Sequence, residues 1–211
     1  MTPNNILNMS MLNELDFIAI TDHNSTLQLK IIQELQESYD FIVIPGVEVS
    51  VLEGFDVLCY FQTFDDALAF NDILTPYLLN EWGNYSKEDQ IITDIYDTTL
   101  DEYDIPLTKT NMPYEALVKE IRKVNGALVL AHINRPSCTP LNVFKLENMD
   151  FDGIEIQPYG KEEYLSKNEY LNKYKIFSNS DSHSLLTINE KVETIELEEK
   201  SISSFFAYLR G

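Results

Sequence analysis

The sequence has few cysteines, few basic residues and no long apolar run. Its two cysteines, Cys59 and Cys138, lie far from the paired spacing of a zinc knuckle, which argues against a disulfide framework or a cysteine zinc site. Lys and Arg number 15 against 35 Asp and Glu, and the net charge of −20 opposes capture of long nucleic acid or an anionic membrane. No uncharged apolar run approaches the roughly 18–20 residues of a membrane span, and residues 1–17 lack the pattern of a secretion signal. We therefore predict a cytoplasmic protein with reduced thiols and no membrane partner.

The hydrophobic content and the spacing of apolar residues predict a single domain in which strands and helices alternate. Hydrophobic side chains make up 44% of the 211 residues, enough for a sizeable core. Apolar residues at helical spacing predict helices at 2–15, 27–35, 65–82, 113–124 and 202–209. Compact β-branched runs predict strands at 17–21, 41–45, 47–52, 56–61, 127–131, 153–157, 175–179 and 192–197. This alternation is typical of a parallel α/β sheet, open or closed into a barrel, with ligands bound at the carboxyl ends of its strands.

The segment 83–111 does not continue the alternation. It is rich in acidic and aromatic residues, and one helix over 86–100 is the element that it accommodates best. We expect this segment to be an insertion into the domain or a lid that closes over the site.

The sequence contains three histidines, and each follows a predicted strand: His23, His132 and His183. Asp22 stands beside the first, and Asp181 stands two residues before the last. Imidazole next to a carboxylate suits metal chelation, in which the carboxylate is a second ligand or the acceptor that sets the imidazole tautomer. Any one of these histidines alone is as well explained by burial at a strand end, but the three together favour a metal site.

Carboxylates in predicted apolar strands also favour a metal site. Glu48 stands between two valines, where a carboxylate is costly unless it is paired or binds a metal. Asp56 begins the next predicted strand, and a solvated carboxylate at the sheet edge is the alternative there. Asp181, in Ser-Asp-Ser-His, is the strongest carboxylate candidate. Glu155 alternates with apolar residues, so that it either supports a metal ligand or has a structural role alone.

Imidazole and carboxylate ligands around divalent ions are the usual apparatus of metal-assisted hydrolysis. The mixture of nitrogen and hard oxygen ligands suits manganese, zinc or iron better than magnesium alone. Arg135 follows His132 by three residues, and its guanidinium would grip a substrate phosphate through two hydrogen bonds or form a salt bridge to one of the acids.

Four ordered motifs carry these residues: Ile-Ala-Ile-Thr-Asp-His-Asn, Pro-Gly-Val-Glu, Ala-His-Ile-Asn-Arg-Pro-Ser and Ser-Asp-Ser-His. In their order and separation, over essentially the whole chain, they resemble the PHP (polymerase and histidinol phosphatase) superfamily. The resemblance implies an α/β fold, a distorted (β/α)7 barrel whose strand ends hold up to three divalent metal ions. It also implies a metal-dependent phosphoesterase that hydrolyses small phosphorylated molecules, or nucleotide and oligonucleotide phosphates, through a metal-bound hydroxide.

The resemblance assigns a role to each candidate residue. The expected metal ligands are His23, Glu48, Asp56, His132, Asp181 and His183. Glu48 would bridge two ions, Asp22 would orient groups at the catalytic centre, and Arg135 would lie beside the substrate phosphate. The expected partner is therefore a small phosphorylated substrate or a short nucleotide.

Two departures from the family pattern affect these expectations. The family opens with a strand that carries a His-x-His motif, whereas this sequence begins at the helix that follows that strand. The missing strand leaves unpaired backbone groups and removes roughly two ligands, so we expect partial metal binding and impaired activity. Either the first residue is an internal methionine of a longer protein, or the chain is naturally shortened. The family also has a histidine at the position of Asp56, and aspartate there would change the metal preference without emptying the site.

Two further interpretations stay open. The first is a degenerate PHP domain that binds a metal or a phosphorylated ligand without turnover. The second is another metal hydrolase, such as an amidohydrolase, although the sequence offers no lysine in a strand-end position to serve as its ligand. An exposed sheet edge also allows the chain to form a homodimer.

Overall fold

The computed structural model describes residues 1–84, 86–87, 90–191 and 193–211, and it shows a mixed α/β fold. The helices in chain order are α1 (Pro3–Leu12), α2 (Leu29–Gln36), α3 (Phe64–Leu74), α4 (Tyr114–Lys123), α5 (Lys161–Lys167) and α6 (Ile202–Arg210). The strands are β1 (Phe17–Ile20), β2 (Ile42–Ser50), β3 (Asp56–Tyr60), β4 (Ile91–Thr93), β5 (Thr99–Glu102), β6 (Ala127–Leu130), β7 (Gly153–Glu155) and β8 (Ile176–Phe177).

The main sheet has six strands in the order β1-β2-β3-β6-β7-β8, and β3 alone runs against its neighbours. The parallel sheet that the alternation predicts is therefore interrupted at this strand, where two of the five pairings are antiparallel. The reason lies in the connection between β2 and β3, which turns back within residues 51–55 through a bond from Gly54 N–H to the Val51 carbonyl (2.9 Å). A parallel crossover needs a dozen residues or more, so a connection this short enforces antiparallel pairing.

The predicted strands 41–45 and 47–52 are one continuous strand, β2. Gly46 does not interrupt it, because this glycine pairs with Tyr60 across the ladder. A Cβ atom at Gly46 would lie 2.8 Å from Thr21 Cγ2 and 3.0 Å from the Cys59 carbonyl oxygen. The glycine is therefore required by the close approach of three strands rather than by a turn.

The two faces of the sheet have different coverings. Val43, Val47 and Leu128 belong to a large core shared with the helices α1 to α4, whereas Ile44 and Leu58 point to the other face and pack against α6. Side chains two residues apart in a strand share a face. Glu48 lies four residues after Ile44 and Asp56 two residues before Leu58, so both point to the same face as this second set. We call the face that packs against α6 the inner face and the face that packs against α1 to α4 the outer face. The inner face is thus apolar at one end and acidic at the other.

The main sheet is curled. The ring centroid of Phe205 in α6 lies 6.5 Å from that of Phe17 in β1 and 6.2 Å from that of Phe177 in β8, although these two strands form opposite edges of the sheet. The loops that follow the same two strands also meet, with the rings of His23 and His183 5.9 Å apart. Among the described residues the strands form a curled half-barrel and not a closed barrel of seven strands, because β1 and β8 are not paired with each other.

The segment 83–111 contains a β-hairpin, so the helix predicted over 86–100 is wrong in its described part; residues 88 and 89 lie outside the description. β4 and β5 are joined by a turn in which Asp94 Oδ1 accepts hydrogen bonds from the N–H groups of Tyr96 and Thr98. This local side-chain bonding favours a turn over a helix. The Gln28 side chain of the neighbouring helix region pairs with both backbone groups of Thr93 and so fixes the hairpin to the domain.

The remaining differences lie at the ends of elements and in the last third of the chain. α3 ends at Leu74 rather than at residue 82, because Pro76 follows and the chain continues as a short 3-10 turn. The predicted strand 192–197 is absent at 193–197, where the backbone makes no ladder, and position 192 lies outside the description. The helix α5 was not predicted. In the parts of the chain that the structure describes, every helix is too short or too polar to cross a lipid bilayer.

We predict that Phe205→Ala lowers the free energy of unfolding by about 3–5 kcal/mol, because it removes a buried ring that contacts β1, β3 and β8 together. Urea unfolding followed by circular dichroism measures the change, and Ala207→Ser on the exposed side of the same helix is the control. Equal losses in the two variants would show that α6 does not hold the sheet edges together.

Candidate metal centre

Glu48, Asp56 and His132 converge at one end of the inner face. His132 Nε2 lies 3.3 Å from Glu48 Oε1 and 3.6 Å from Asp56 Oδ2. One ligand atom from each residue lies within 4.8 Å of the other two, and the His132 side chain is only 1% exposed. One nitrogen and two carboxylate groups at this spacing form a set that could hold a divalent ion.

The sheet topology explains how residues so far apart in sequence meet. Glu48 lies near the carboxyl end of β2, and the tight turn after β2 places Asp56, the first residue of β3, opposite Ser50. The hydroxyl of Ser50 donates a hydrogen bond of 2.6 Å to Asp56 Oδ1. His132 follows the parallel strand β6 and has a φ of 31°, in the left-handed region. A strand continued from Ala131 would turn His132 to the outer face, so this bend sends the imidazole to the inner face.

The carboxylate of Glu48 is buried and that of Asp56 is partly buried, and the two differ electrostatically. Burial by itself raises the pKa of Glu48, but the hydrogen bond to His132 and the nearby His23 outweigh it, and the pKa of Glu48 is lowered. Burial also raises the pKa of Asp56, and the neighbouring Glu48 charge raises it further against the opposing hydrogen bond from Ser50. Two carboxylates in one buried site repel each other, and a cation between them would relieve that repulsion. The residues present therefore fit a divalent metal ion.

His23 lies on the other side of Glu48. Its Nε2 is 3.8 Å from Glu48 Oε2, while His132 approaches the other carboxylate oxygen. His183 contacts the His23 ring, and its Nδ1 lies 3.8 Å from Asp181 Oδ1. The structure thus brings all of the predicted ligands to one end of the sheet, but His23 and His183 are 43% and 69% exposed rather than enclosed.

A cavity of about 580 Å³ lies between the edge strands β1 and β8 and opens beside this cluster. Its lining includes the polar side chains Asp22, Glu48 and His183 and the apolar side chains Leu58 and Tyr60. Burial raises the pKa of the Asp22 carboxyl against the opposing charge of His23, and the Asp22 carbonyl accepts a hydrogen bond from Glu48 N–H (3.2 Å). Asp22 therefore helps to place the strand end that carries Glu48.

Arg135 forms an ion pair with Asp181. Its guanidinium also reaches the side-chain oxygen of Gln157, which, in the amide orientation that satisfies the network, accepts bonds of 2.9 Å from both Nε and Nη2. The Arg135 side chain stays 33% exposed beside the predicted ligand Asp181. Sequence reasoning missed Gln157, although its position two residues after Glu155 was a signal that both side chains share one face.

Asn24 is a second residue that the sequence did not single out. It is 1% exposed, its Oδ1 accepts from Ser50 N–H (2.9 Å), and its Nδ2 donates to the Leu107 carbonyl (2.8 Å). It therefore joins the His23 loop to the end of β2 and to the segment 83–111. The φ of Asn24 is 53°, a left-handed conformation that asparagine adopts more readily than most residues. This preference for a turn is the one signal in the sequence from which Asn24 could have been singled out.

We predict that Asp56→Asn raises the melting temperature of the metal-free protein at pH 7. The folded state raises the pKa of Asp56, so its ionisation costs stability as the pH rises from the ordinary value of 3.8 through the folded value, and asparagine removes that cost. Thermal melts between pH 4 and pH 8 test this, and the gain should shrink toward the acid end. Asp101→Asn, on the exposed strand β5, is the control and should leave the melting temperature unchanged. A lower melting temperature for Asp56→Asn at pH 7 would contradict the electrostatic account of the site.

No protein-family model matches this chain, and no curated protein matches it. Solved structures do match. Endonuclease Q from Pyrococcus furiosus, a lesion-specific endonuclease, aligns with 100% of this chain and 51% of its own, at 14% identity and a TM-score of 0.69. Endonuclease Q in complex with a 27-mer duplex substrate that has an abasic lesion at the active site aligns with 100% of this chain and 52% of its own, at 13% identity and a TM-score of 0.68. This chain thus spans about half the length of endonuclease Q.

Two shorter proteins match over most of their length. A protein from Bifidobacterium adolescentis assigned as a metal-dependent phosphoesterase aligns with 87% of this chain and 82% of its own, at 14% identity and a TM-score of 0.54. An amidohydrolase from Chromobacterium violaceum, solved with sulfate and without metal, aligns with 99% of this chain and 92% of its own, at 15% identity and a TM-score of 0.63. At these identities the likeness concerns the fold. The resemblance inferred from the four motifs is confirmed at the level of the fold, which this chain shares with a protein assigned as a metal-dependent phosphoesterase and with about half of endonuclease Q.

Proposed function

We propose that this chain is a metal-dependent phosphoesterase that acts on small phosphorylated molecules or short nucleotides. The observation that carries the proposal is the convergence of Glu48, Asp56 and His132 from three strands into one buried cluster. The presence of a phosphoesterase and an endonuclease among proteins of the same fold supports the same reaction class.

In this proposal Glu48, Asp56 and His132 hold one ion, and Glu48 also faces a second position beside His23, His183 and Asp181. Nitrogen and hard oxygen ligands in this proportion suit manganese, zinc or iron. A divalent ion bound there would lower the pKa of water and offset the charge that develops on a phosphoryl oxygen. The exposure of His23 and His183 favours one or two ions rather than the three that the PHP resemblance allows.

Arg135 binds the substrate phosphate in this proposal. The Gln157 side-chain oxygen accepts hydrogen bonds from one edge of its guanidinium. The partly exposed Arg135 side chain also pairs with Asp181, in the loop that follows β8. A phosphate that approaches the metal ligands would compete with the Asp181 carboxylate for this guanidinium through two parallel hydrogen bonds. In a chain of net charge −20, such a local cation favours a compact phosphate over a long polyanion. The duplex bound by endonuclease Q is bound by a protein about twice as long.

A specific observation also favours the alternative, a degenerate domain that binds ligands without turnover. The cavity between β1 and β8 is bordered by strands that each have one pairing partner in the described sheet. A strand with metal ligands placed there would close the barrel and complete the second ion position. A chain without it would bind the ion of the Glu48 cluster yet turn over slowly or not at all.

We also propose that the segment 83–111 is an insertion beside the site, since the Leu107 carbonyl accepts a hydrogen bond from the Asn24 side chain in the His23 loop.

We predict that the chain binds manganese and that His132→Ala abolishes this binding, because the imidazole supplies the nitrogen ligand of the buried cluster. Elemental analysis after removal of free ion gives the stoichiometry, and hydrolysis of p-nitrophenyl phosphate and of short nucleotides gives turnover. Glu162→Gln on the exposed side of α5 is the control. Manganese binding without turnover would favour the degenerate domain. A parent protein that retains neither manganese, zinc nor iron would overturn the phosphoesterase proposal, and one that also fails to bind inorganic phosphate would overturn the degenerate domain.

We predict that Arg135→Lys raises the KM for p-nitrophenyl phosphate by about tenfold while kcat changes less, because lysine keeps the charge but loses the paired hydrogen bonds. Steady-state kinetics measures the two constants separately. In a protein that binds manganese without turnover, the affinity for inorganic phosphate should fall by a similar factor. Lys167→Arg, in an exposed ion pair on α5, controls for a general effect of exchanging cations. An unchanged KM and phosphate affinity would remove Arg135 from the substrate site.

A further inference from the structure

Glu155 is a buried carboxylate outside the proposed ligand set. It is the last residue of β7, lies on the inner face and is 4% exposed. Its Oε2 accepts a hydrogen bond of 3.1 Å from His132 N–H, and its Oε1 accepts one of 2.7 Å from the side-chain amide of Asn179. Both oxygens therefore have donors from the protein itself, which is the usual condition for burying a carboxylate.

The bond to His132 acts at the bend that aims the imidazole. His132 has a positive φ, which a residue with a β-carbon rarely adopts unless its surroundings enforce it. The Glu155 carboxylate holds the N–H of His132, and the Glu155 carbonyl accepts a hydrogen bond of 2.9 Å from Ile133 N–H. Glu155 thus accepts hydrogen bonds from the N–H groups of both His132 and Ile133, the two residues at the bend.

The bond to Asn179 acts on the second ligand loop. Asn179 follows β8 and precedes Asp181 and His183 by two and four residues. One carboxylate in β7 therefore ties the loop after β6 to the loop after β8, across the strand that lies between them. The two loops carry three of the six predicted metal ligands.

We propose that Glu155 is a positioning residue of the metal centre: it fixes the His132 bend and the Asp181 loop by hydrogen bonds and does not itself bind the ion. This inference rests on the proposed function, since it assigns His132 to the metal. It predicts that the length of the side chain and its two hydrogen bonds matter, and that its charge does not. Hydrogen bonds that orient a metal ligand typically change metal affinity by about 10–100-fold when they are lost.

Two variants separate length from charge. Glu155→Asp keeps the charge but shortens the side chain, so it should lower the manganese affinity by about tenfold or more. Glu155→Gln keeps an oxygen for His132 N–H, and the Asn179 amide can turn to accept from the new NH2 group, so the affinity should stay within about threefold. Titration calorimetry of the full chain with manganese measures the affinity. Tyr114→Phe, which removes a partly buried hydrogen bond to the Asp150 carbonyl and none to a predicted metal ligand, controls for a loss of stability alone.

Amide hydrogen exchange of the metal-free protein gives a second readout. Exchange at His132 N–H should become about tenfold faster in Glu155→Asp and stay unchanged in Glu155→Gln and Tyr114→Phe. A loss of manganese affinity in Glu155→Gln as large as that in Glu155→Asp, or larger, would show that the carboxylate itself is required beyond its hydrogen bonds and would overturn the proposal. Unchanged affinity and exchange in Glu155→Asp would overturn it as well. If the parent protein binds neither manganese, zinc nor iron, the proposed function fails, and the exchange at His132 still decides whether Glu155 holds the bend.

Discussion

The antiparallel pairing of β2 with β3 is the constraint on which the candidate site depends. The turn at 51–55 is too short for any other connection, and it reverses the chain so that the end of one strand meets the start of the next. Glu48 and Asp56 thereby come to the same face and the same end of the sheet. Two neighbouring carboxylates, one buried and one partly buried, are costly by themselves, and the residue that follows β6, His132, brings its imidazole within 3.3 Å of Glu48 and 3.6 Å of Asp56.

The inner face of the sheet is divided along its strands, and this division separates stability from chemistry. At one end α6 fills the concave surface, and Phe205 contacts rings from both sheet edges. At the other end the side chains are acidic or imidazole and lie beside the cavity between β1 and β8. Apolar burial stabilises the first end, whereas the polar end is held by a hydrogen bond that the Ser50 hydroxyl donates and by hydrogen bonds that the Asn24 side-chain oxygen and the Glu155 carboxylate accept. A site that is built this way depends on the exact reach of a few polar side chains.

Much of the candidate site was open to prediction because its candidate ligands follow strands that are easy to recognise. Parallel strands bring their carboxyl ends to one edge, so three histidines after three strands were expected to meet, and the rings of His23 and His183 do. The direction of β3 was not predicted, because an apolar run has the same pattern in either orientation. The hairpin in 83–111 was missed because its strands are short and exposed, and its stability comes from Gln28 and Asp94, which act through side-chain bonds to the backbone.

The sequence by itself determined the strand and helix alternation, the residue types at the strand ends and the strongly acidic character of the chain. These are local properties, set by the spacing of apolar residues and by composition. Only the tertiary structure decided that His132 turns inward, that Gln157 grips Arg135, and that Glu155 joins two ligand loops. Each of these depends on a left-handed bend or on a hydrogen bond between residues 20 or more positions apart. Such contacts form only after the sheet has brought the strands together, and no periodicity in the sequence records them.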